Sequence, residues 1–497
     1  MLKNDFVVVG AGTSGLIVSL MLREKYPKSS ITILKSGDIG IIGVGEGSTE
    51  HWTQFMDFVG INNVELIKKT KATVKIGILF DGWSDGGQYV HSIGLDSELS
   101  GLQRPEMYHN ALLFSQNKKF PLASSFEEIY YKNLVPVLPR LNCSNQYHFD
   151  TFELNNFLSQ KCIERDILIQ DVFVKDVIVN ESGDVESLVS DVGVISGSFF
   201  IDCSGFKRII ASKVGCKWIS KSEYLPMNRA LTLPSPSNPS FIEPYTKSTA
   251  KSAGWIWTIP TQERYGNGYV FCDDYINGDQ ALEELNNYLG TSADSPVKDI
   301  KFQAGRLDKF WINNVVSIGL SGSFAEPLEA QSIGFTIVQS NALLSHLDGW
   351  FVNRKNSDVY NNKMAASFDN IVDYLQLHYL GNKNDSKFWE DKPFVLTDFN
   401  KETLGQFKKG VFDTSLFYNN YSLFGMFNWY QVMAGLNLID KDHLGNMFES
   451  NRSSYNNNHY QQTINYRLGL KNYTVMEHKE YLNLVNFNYE FREKYEA

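Results

Sequence analysis

The chain has 497 residues, enough for a large core and two interlocked regions. Its net charge of −10 at pH 7, with no long basic run, argues against a nucleic-acid or anionic-membrane surface as the main partner. Five cysteines, odd in number and without CxxC spacing, indicate neither a disulfide framework nor a zinc site.

The chain passes from Met1 straight into Asp5–Val9, a run that reads as a fully buried strand, with no signal-peptide pattern before it. No apolar run approaches the roughly 20 residues a bilayer span requires. A cytoplasmic protein is the expectation. Gly10-Ala11-Gly12-Thr13-Ser14-Gly15 follows, and a helix through Arg23 comes next. This is GxGxxG in the strand–turn–helix setting it needs. Gly10 serves the tight turn, Gly12 a close approach of pyrophosphate, and Gly15 helix–strand packing, while the helix start at Thr13 and Ser14 offers N–H donors. The motif specifies a dinucleotide without choosing between FAD and NAD.

The second strand, Ile31–Leu34, ends at Lys35 where an acidic residue ordinarily binds the ribose hydroxyls. Ser36 is the available substitute, and modest, reversible cofactor binding is expected. In Ile42-Gly43-Val44-Gly45-Glu46-Gly47-Ser48-Thr49, three glycines in five residues let backbone lie against a planar ligand, although an ordinary βα turn would also use them. Val74, Ile76, Ile78 and Phe80 then alternate as on a strand, with Lys75 on the opposite face. A lone lysine there is ordinarily a solvated charge.

From about residue 84 to 147 no layout emerges. Tyr147-His148-Phe149-Asp150 is read as the start of a helix, with Asp150 and Glu153 at capping-box spacing and Phe157 and Leu158 on the buried side. Residues 167–194 read as a β-meander turning at Glu181–Asp184, and Phe199–Asp202 returns a buried strand to the glycine turn at Gly205. Trp255 and Trp257 in Gly254-Trp255-Ile256-Trp257-Thr258-Ile259-Pro260 face the same side if that stretch is extended, making a paired aromatic wall; a sheet edge filling an interdomain gap is the plainer alternative. Asn314–Ile318 is a further buried strand, running into Gly319-Leu320-Ser321-Gly322-Ser323-Phe324-Ala325-Glu326-Pro327-Leu328-Glu329. Ile333, Ile337, Leu344 and Leu347 give the next helix an apolar face. Beyond about residue 350 the chain reads as helices and aromatic loops, clearest in Ile371–Tyr379 and Phe427–Gly435.

Taken in order, these motifs resemble the flavin-dependent halogenases of the tryptophan-halogenase type. The tryptophan stretch matches that family's GWxWxIP, the Lys75 segment its FKxGIxFxxW, the Gly45 stretch its VGEAT, and the Gly319–Glu329 stretch its IGLAAGFxEPLES. The resemblance spans most of residues 5–435. It implies an α/β fold, in which an FAD-binding dinucleotide fold with an inserted β-sheet element (residues 1–345) carries a mainly helical substrate region (346–497). It implies that Gly10, Gly12, Thr13, Ser14, Gly15, Gly45, Glu46, Gly47, Ser48, Gly319 and Gly322 surround FAD, delivered reduced by a separate flavin reductase. Halide is oxidised there to hypohalous acid. Trp255 and Trp257 stand between flavin and substrate, Lys75 relays the halogen, and Glu329 polarises the halogenating species or takes the proton released.

Without that context Glu329 reads as a helix N-terminal carboxylate. The family's Ser-Thr-Gly after this glutamate, whose backbone cradles chloride, is here Ala330-Gln331-Ser332. Gln331 and Ser332 are therefore the expected halide-binding positions, and a non-glycine at 332, restricting the loop backbone, points to bromide or iodide over chloride. The substrate expected is a free electron-rich aromatic, of phenol or indole type, and the assembly a homo-oligomer. No metal is expected, since the nine histidines show no paired ligand spacing. Two other readings are a flavin-dependent aromatic hydroxylase, against which the tryptophan pair and Lys75 speak, and an inactive dinucleotide-binding scaffold, which only Lys35 encourages.

Overall fold

The computed structural model describes residues 4–37, 45–84, 87–92, 132–137, 146–408, 421–438 and 474–487. A six-stranded sheet runs in the order Trp311–Ile312, Val315–Ser317, Phe199–Asp202, Asp5–Val9, Ser30–Lys35, Leu168–Asp171. All neighbours are parallel except the hairpin Trp311–Ile312 with Val315–Ser317. Both faces of the central strand are buried beyond Asp5, which explains its unbroken apolar run Phe6–Val9. Phe6 and Val8 face a core shared with the helices Thr13–Lys25 and Gln331–Asn353, while Val7 and Val9 face a second core.

That second core is covered by the meander Val174–Val179, Val185–Ser190 and Val194–Ser196 through Val174, Val177, Val185 and Leu188. The meander therefore begins later than its apolar pattern suggests. Leu168–Asp171 pairs in parallel with Ser30–Lys35 and belongs to the main sheet.

The inserted element that bears the functional segments is a larger sheet. Its order is Lys298–Lys301, Arg229–Thr232, Arg264–Phe271, Gly254–Pro260, Thr246–Lys251, Gly77–Ser84, Gly87–Ser92, with Ser235–Pro236 pairing beside Arg264–Phe271. Pairing is antiparallel except between Thr246–Lys251 and Gly77–Ser84. One strand thus separates the tryptophan strand from the strand that follows Lys75.

A further three-stranded sheet orders Glu46–Gly47, Gln146–Phe149 and Thr73–Lys75, all antiparallel. Tyr147–Phe149 is strand where the sequence suggested helix. Asp150 caps the helix Thr151–Ile163, accepting from the N–H groups of Phe152 and Glu153, so helix begins only after it. The aromatic and β-branched-tolerant positions before the cap go to strand pairing instead. His148 pairs with Gly47 on one side and Thr73 on the other, which ties the glycine-rich segment to the lysine segment.

Among the described residues, the C-terminal region carries the helices Ser357–Leu377, Asp398–Lys408, Met426–Gly435 and His478–Phe487. The helix Gln331–Asn353 runs unbroken across positions 345 and 346. Among the described residues no helix is long and apolar enough to cross a membrane.

Candidate active site

At the first strand's end Gly10 takes φ +113°, and a Cβ there would lie 2.2 Å from the Cys203 carbonyl oxygen. Only glycine closes that turn. A Cβ at Gly12, in contrast, would meet nothing within 4 Å, so the backbone at the helix start is open to a ligand. Gly12 caps the helix without a side-chain hydrogen bond, which leaves N–H donors available. Thr13 and Ser14 open into a cavity that also touches Gly45, Glu46 and Gly47. These features fit the diphosphate end of FAD, with the glycine-rich segment as the apposed backbone.

Ser14 Oγ lies 3.0 Å from Thr336 Oγ1, and Gly319 packs on Ser14, where a Cβ would come to 2.2 Å from its hydroxyl. Gly322 packs behind, against Phe310 and the Ser317 carbonyl, while Leu320 and Phe324 line the cavity. Gly43 and Val44 lie outside the described residues. Lys35, exposed, is opposite Asp171 on the neighbouring strand, whose carboxylate accepts the Gly37 N–H at 2.9 Å. Asp171 thus places a carboxylate near the strand end where Lys35 stands.

Burial drives Glu46, which accepts from Thr13 Oγ1 at 3.5 Å, up to about 7.

The cavity continues to Trp255 and Trp257. Both indoles are buried on one side of the strand Gly254–Pro260, with ring centroids 6.2 Å apart. Trp255 Nε1 donates to Glu326 Oε2 at 2.8 Å, and the Tyr379 hydroxyl donates to the same oxygen at 2.5 Å. Burial raises Glu326 to about 7, against the pull of those two donors. Trp257 stands opposite Gly268 on the adjacent strand, where the absence of a side chain leaves room for the ring.

Lys75 is 1% exposed, and its Nζ donates to the Ser48 carbonyl at 3.1 Å. A Cβ on Gly47 would lie 3.4 Å from that nitrogen and 3.1 Å from the Ala330 Cβ, so the glycine lets the amine approach both segments. The strand is pinned around it: Val74 N–H donates to His478 Nε2 at 3.0 Å, and Ile76 N–H to the Pro244 carbonyl at 2.7 Å. Burial lowers Lys75 to about 8, opposed by the charges of Glu329 and Glu50.

Glu329 and Ala330 both take left-handed φ, +65° and +53°, just before the helix that starts at Gln331. Such conformations cost free energy in non-glycine residues and cluster where geometry is functionally constrained. The reading of residue 332 changes accordingly. Ser332 lies in the first helical turn, so its backbone needs no glycine, and the restriction expected there falls on Glu329 and Ala330. Ser332 lines the cavity, whereas Gln331 directs its amide to the Glu326 carbonyl at 3.4 Å.

The Glu329 carboxylate is ringed by donors that the sequence did not single out. His91 Nδ1 lies 2.9 and 2.8 Å from its two oxygens, His378 Nε2 2.9 Å from Oε1, and the Tyr374 hydroxyl 3.4 Å from Oε1. Burial would raise the carboxyl, but the histidines prevail and hold it well below the ordinary range. His91 and His378 come from distant elements without a spacing motif, so only the fold assembles them. Among the described residues no cluster of three or more His, Cys, Asp or Glu could hold a metal ion.

A dinucleotide turn, a glycine-rich segment and an indole pair line one cavity, and the buried Lys75 amine packs against Gly47 of that lining, an arrangement that fits a flavin-binding protein. The tryptophan halogenase family model matches residues 5–449, and the chain belongs to that family. It is 28% identical to the tryptophan 6-halogenase of Streptomyces toxytricini over 477 residues, 88% of this chain and 90% of that one. It is 28% identical to the tryptophan 7-halogenase of Lentzea aerocolonigenes over 482 residues, again 88% and 90%. The solved structure of the Streptomyces toxytricini enzyme superposes with a TM-score of 0.79 over 91% of this chain and 96% of that one, at 27% identity. A tryptophan halogenase from Shewanella frigidimarina shares the fold at a TM-score of 0.84, with 24% identity over 97% and 98% of the two chains. The protein is a flavin-dependent halogenase using FAD and halide, with reduced flavin supplied by a separate reductase.

Proposed function

We propose that this halogenase delivers electrophilic halogen through Lys75 to an electron-rich aromatic of phenol or indole type, with bromide or iodide favoured over chloride. The observation that carries the reading is the buried Lys75 amine, set against Gly47 and Ala330 beside a cavity that the two indoles wall. Bound reduced FAD supplies, with O₂, the oxidising equivalents that convert halide to hypohalous acid. Gly12, Thr13 and Ser14 hold the diphosphate, and Gly45–Ser48 present backbone to the ring. Trp255 and Trp257 keep the aromatic substrate from the flavin, so an oxidised halide must travel between them. Lys75 receives it, as a charged donor or as a neutral amine, and its fall to about 8 leaves both forms populated near neutral pH.

An indole is supported by the relatives whose names specify tryptophan. Support for the heavier halides is Ser332, which brings a side chain to the cavity lining where the resembling segment has glycine. Bromide and iodide hold water less tightly than chloride and need less compensation from an altered cradle. The proposed setting is the cytoplasm, in keeping with four unpaired cysteines among the described residues, and the proposed assembly a homo-oligomer.

An equimolar halide competition with enzymatically reduced FAD, offered a panel of free phenols and indoles, tests the reading. Brominated or iodinated product is expected to dominate after subtraction of free hypohalite reaction. Mainly chlorinated product sinks the halide preference, and turnover only on carrier-bound aromatics sinks the free substrate.

A further inference from the structure

The proton count around Glu329 is fixed by its neighbours. Asn428 Oδ1 accepts the Gly425 N–H at 2.9 Å, which sets its amide so that Nδ2 donates to His91 Nε2 at 3.0 Å. The His91 proton therefore sits on Nδ1, aimed at Glu329. That ring is neutral and singly protonated.

His378 is different. Its Nδ1 faces the Tyr374 backbone carbonyl at 3.0 Å, and a carbonyl oxygen only accepts, so Nδ1 carries a proton. Its Nε2 faces Glu329 Oε1 at 2.9 Å, and two lone pairs cannot face each other at that distance. One further proton lies between them.

We propose that this proton resides on His378, making it a buried imidazolium that positions Glu329 and directs the carboxylate's charge to itself instead of to Lys75. The carboxylate is met by donors from three directions, His91, His378 and Tyr374, which suits an anion better than an acid that must itself donate. The imidazolium is held among aromatic rings, with the Phe80 centroid at 5.0 Å, Tyr374 at 5.1 Å and Trp83 at 6.2 Å. His378 and Glu329 side chains are 0% and 1% exposed, so solvent does not screen either charge from its partner.

The consequence reaches the amine. Glu329 is the principal charge that raises Lys75 against burial, with Glu50 second, and Tyr89 also feels Glu329. A carboxylate already paired with His378 stabilises the ammonium form less. Lys75 is then kept low enough to present its neutral amine near neutral pH. His378 is thus a positioning residue, and the inference rests on Lys75 being the relay.

Nitrogen NMR of histidine-labelled full-length protein without flavin reads the first half. The His378 ring is expected doubly protonated at neutral pH and reduced to one proton in Glu329→Gln; a singly protonated ring in the unsubstituted protein overturns the proposal. Carbon NMR of labelled lysine across a pH titration reads the second half. In His378→Gln the Lys75 midpoint is expected to move up by on the order of one pH unit, and in Glu329→Gln to move down. An unmoved midpoint in folded Glu329→Gln overturns the link even if His378→Gln does not fold. None of these readouts requires turnover, so they fail separately from the halogenase assignment of Lys75.

Discussion

Replacing Lys75 by methionine is expected to abolish halogenated product, by on the order of 10³-fold or more, while oxidation of reduced FAD by O₂ continues at its normal rate. In the proposed relay the amine receives halogen that has already been oxidised, so its loss interrupts the relay and not the oxygen chemistry. Stability should move the other way. The folded protein lowers Lys75 from 10.5 to about 8, so at neutral pH the buried ammonium costs about 3 kcal/mol relative to the same group in water. Between those two values the unfolded chain binds more protons than the folded one, and stability rises with pH until the folded penalty vanishes near the upper value. Methionine fills a similar volume without charge, so the variant is expected to be more stable at neutral pH and to lose that part of the pH dependence. Chemical denaturation at neutral and alkaline pH, beside product and flavin-oxidation assays, checks both halves; near-normal product from the variant would show that Lys75 is not the relay.

The elements legible in the sequence are those whose signal is local. The Gly10–Gly15 turn shows itself because one peptide segment must supply the turn, the opening and the helix start together. The tryptophan strand shows itself because period two puts both indoles on one side. Lys75 gave the weakest local signal, an ordinary lysine on a strand, and needed the family pattern to stand out. What stayed hidden depends on long-range pairing. Tyr147–Phe149 is strand because Glu46–Gly47 and Thr73–Lys75 are both free to pair with it, which no window around residue 147 reveals. The eight-stranded sheet joins Gly77–Ser84 and Gly87–Ser92 to strands between residues 229 and 301 through the parallel pairing of Thr246–Lys251 with Gly77–Ser84. His91, His378 and His478 look interchangeable in the chain, yet the first two bind Glu329 and the third holds the lysine strand by accepting the Val74 N–H.

The placement of Trp257 depends on a residue that carries no side chain. Trp257 and Gly268 are direct partners across antiparallel strands, and a Cβ at 268 would fall 2.1 Å from Trp257 Cη2, 2.2 Å from Cζ2 and 2.5 Å from the Leu231 carbonyl oxygen. Gly268→Ala must therefore displace either the ring, toward the cavity it lines, or the strand Arg229–Thr232 that pairs on the other side. Overpacking of this kind costs about 1–3 kcal/mol or more, and a displaced indole narrows the cavity. The variant is expected to unfold at lower temperature, to bind FAD more weakly, and to yield less halogenated product per reduced flavin oxidised. A second substitution separates the two clashes. Phenylalanine at 257 removes the fused-ring atoms that the new methyl meets, so if the ring is the obstacle, Gly268→Ala combined with Trp257→Phe should be more stable than Gly268→Ala alone and the two changes should be strongly non-additive. Strict additivity in thermal unfolding would put the strain on the Leu231 carbonyl instead, and would show that Gly268 is required by the sheet and not by the barrier.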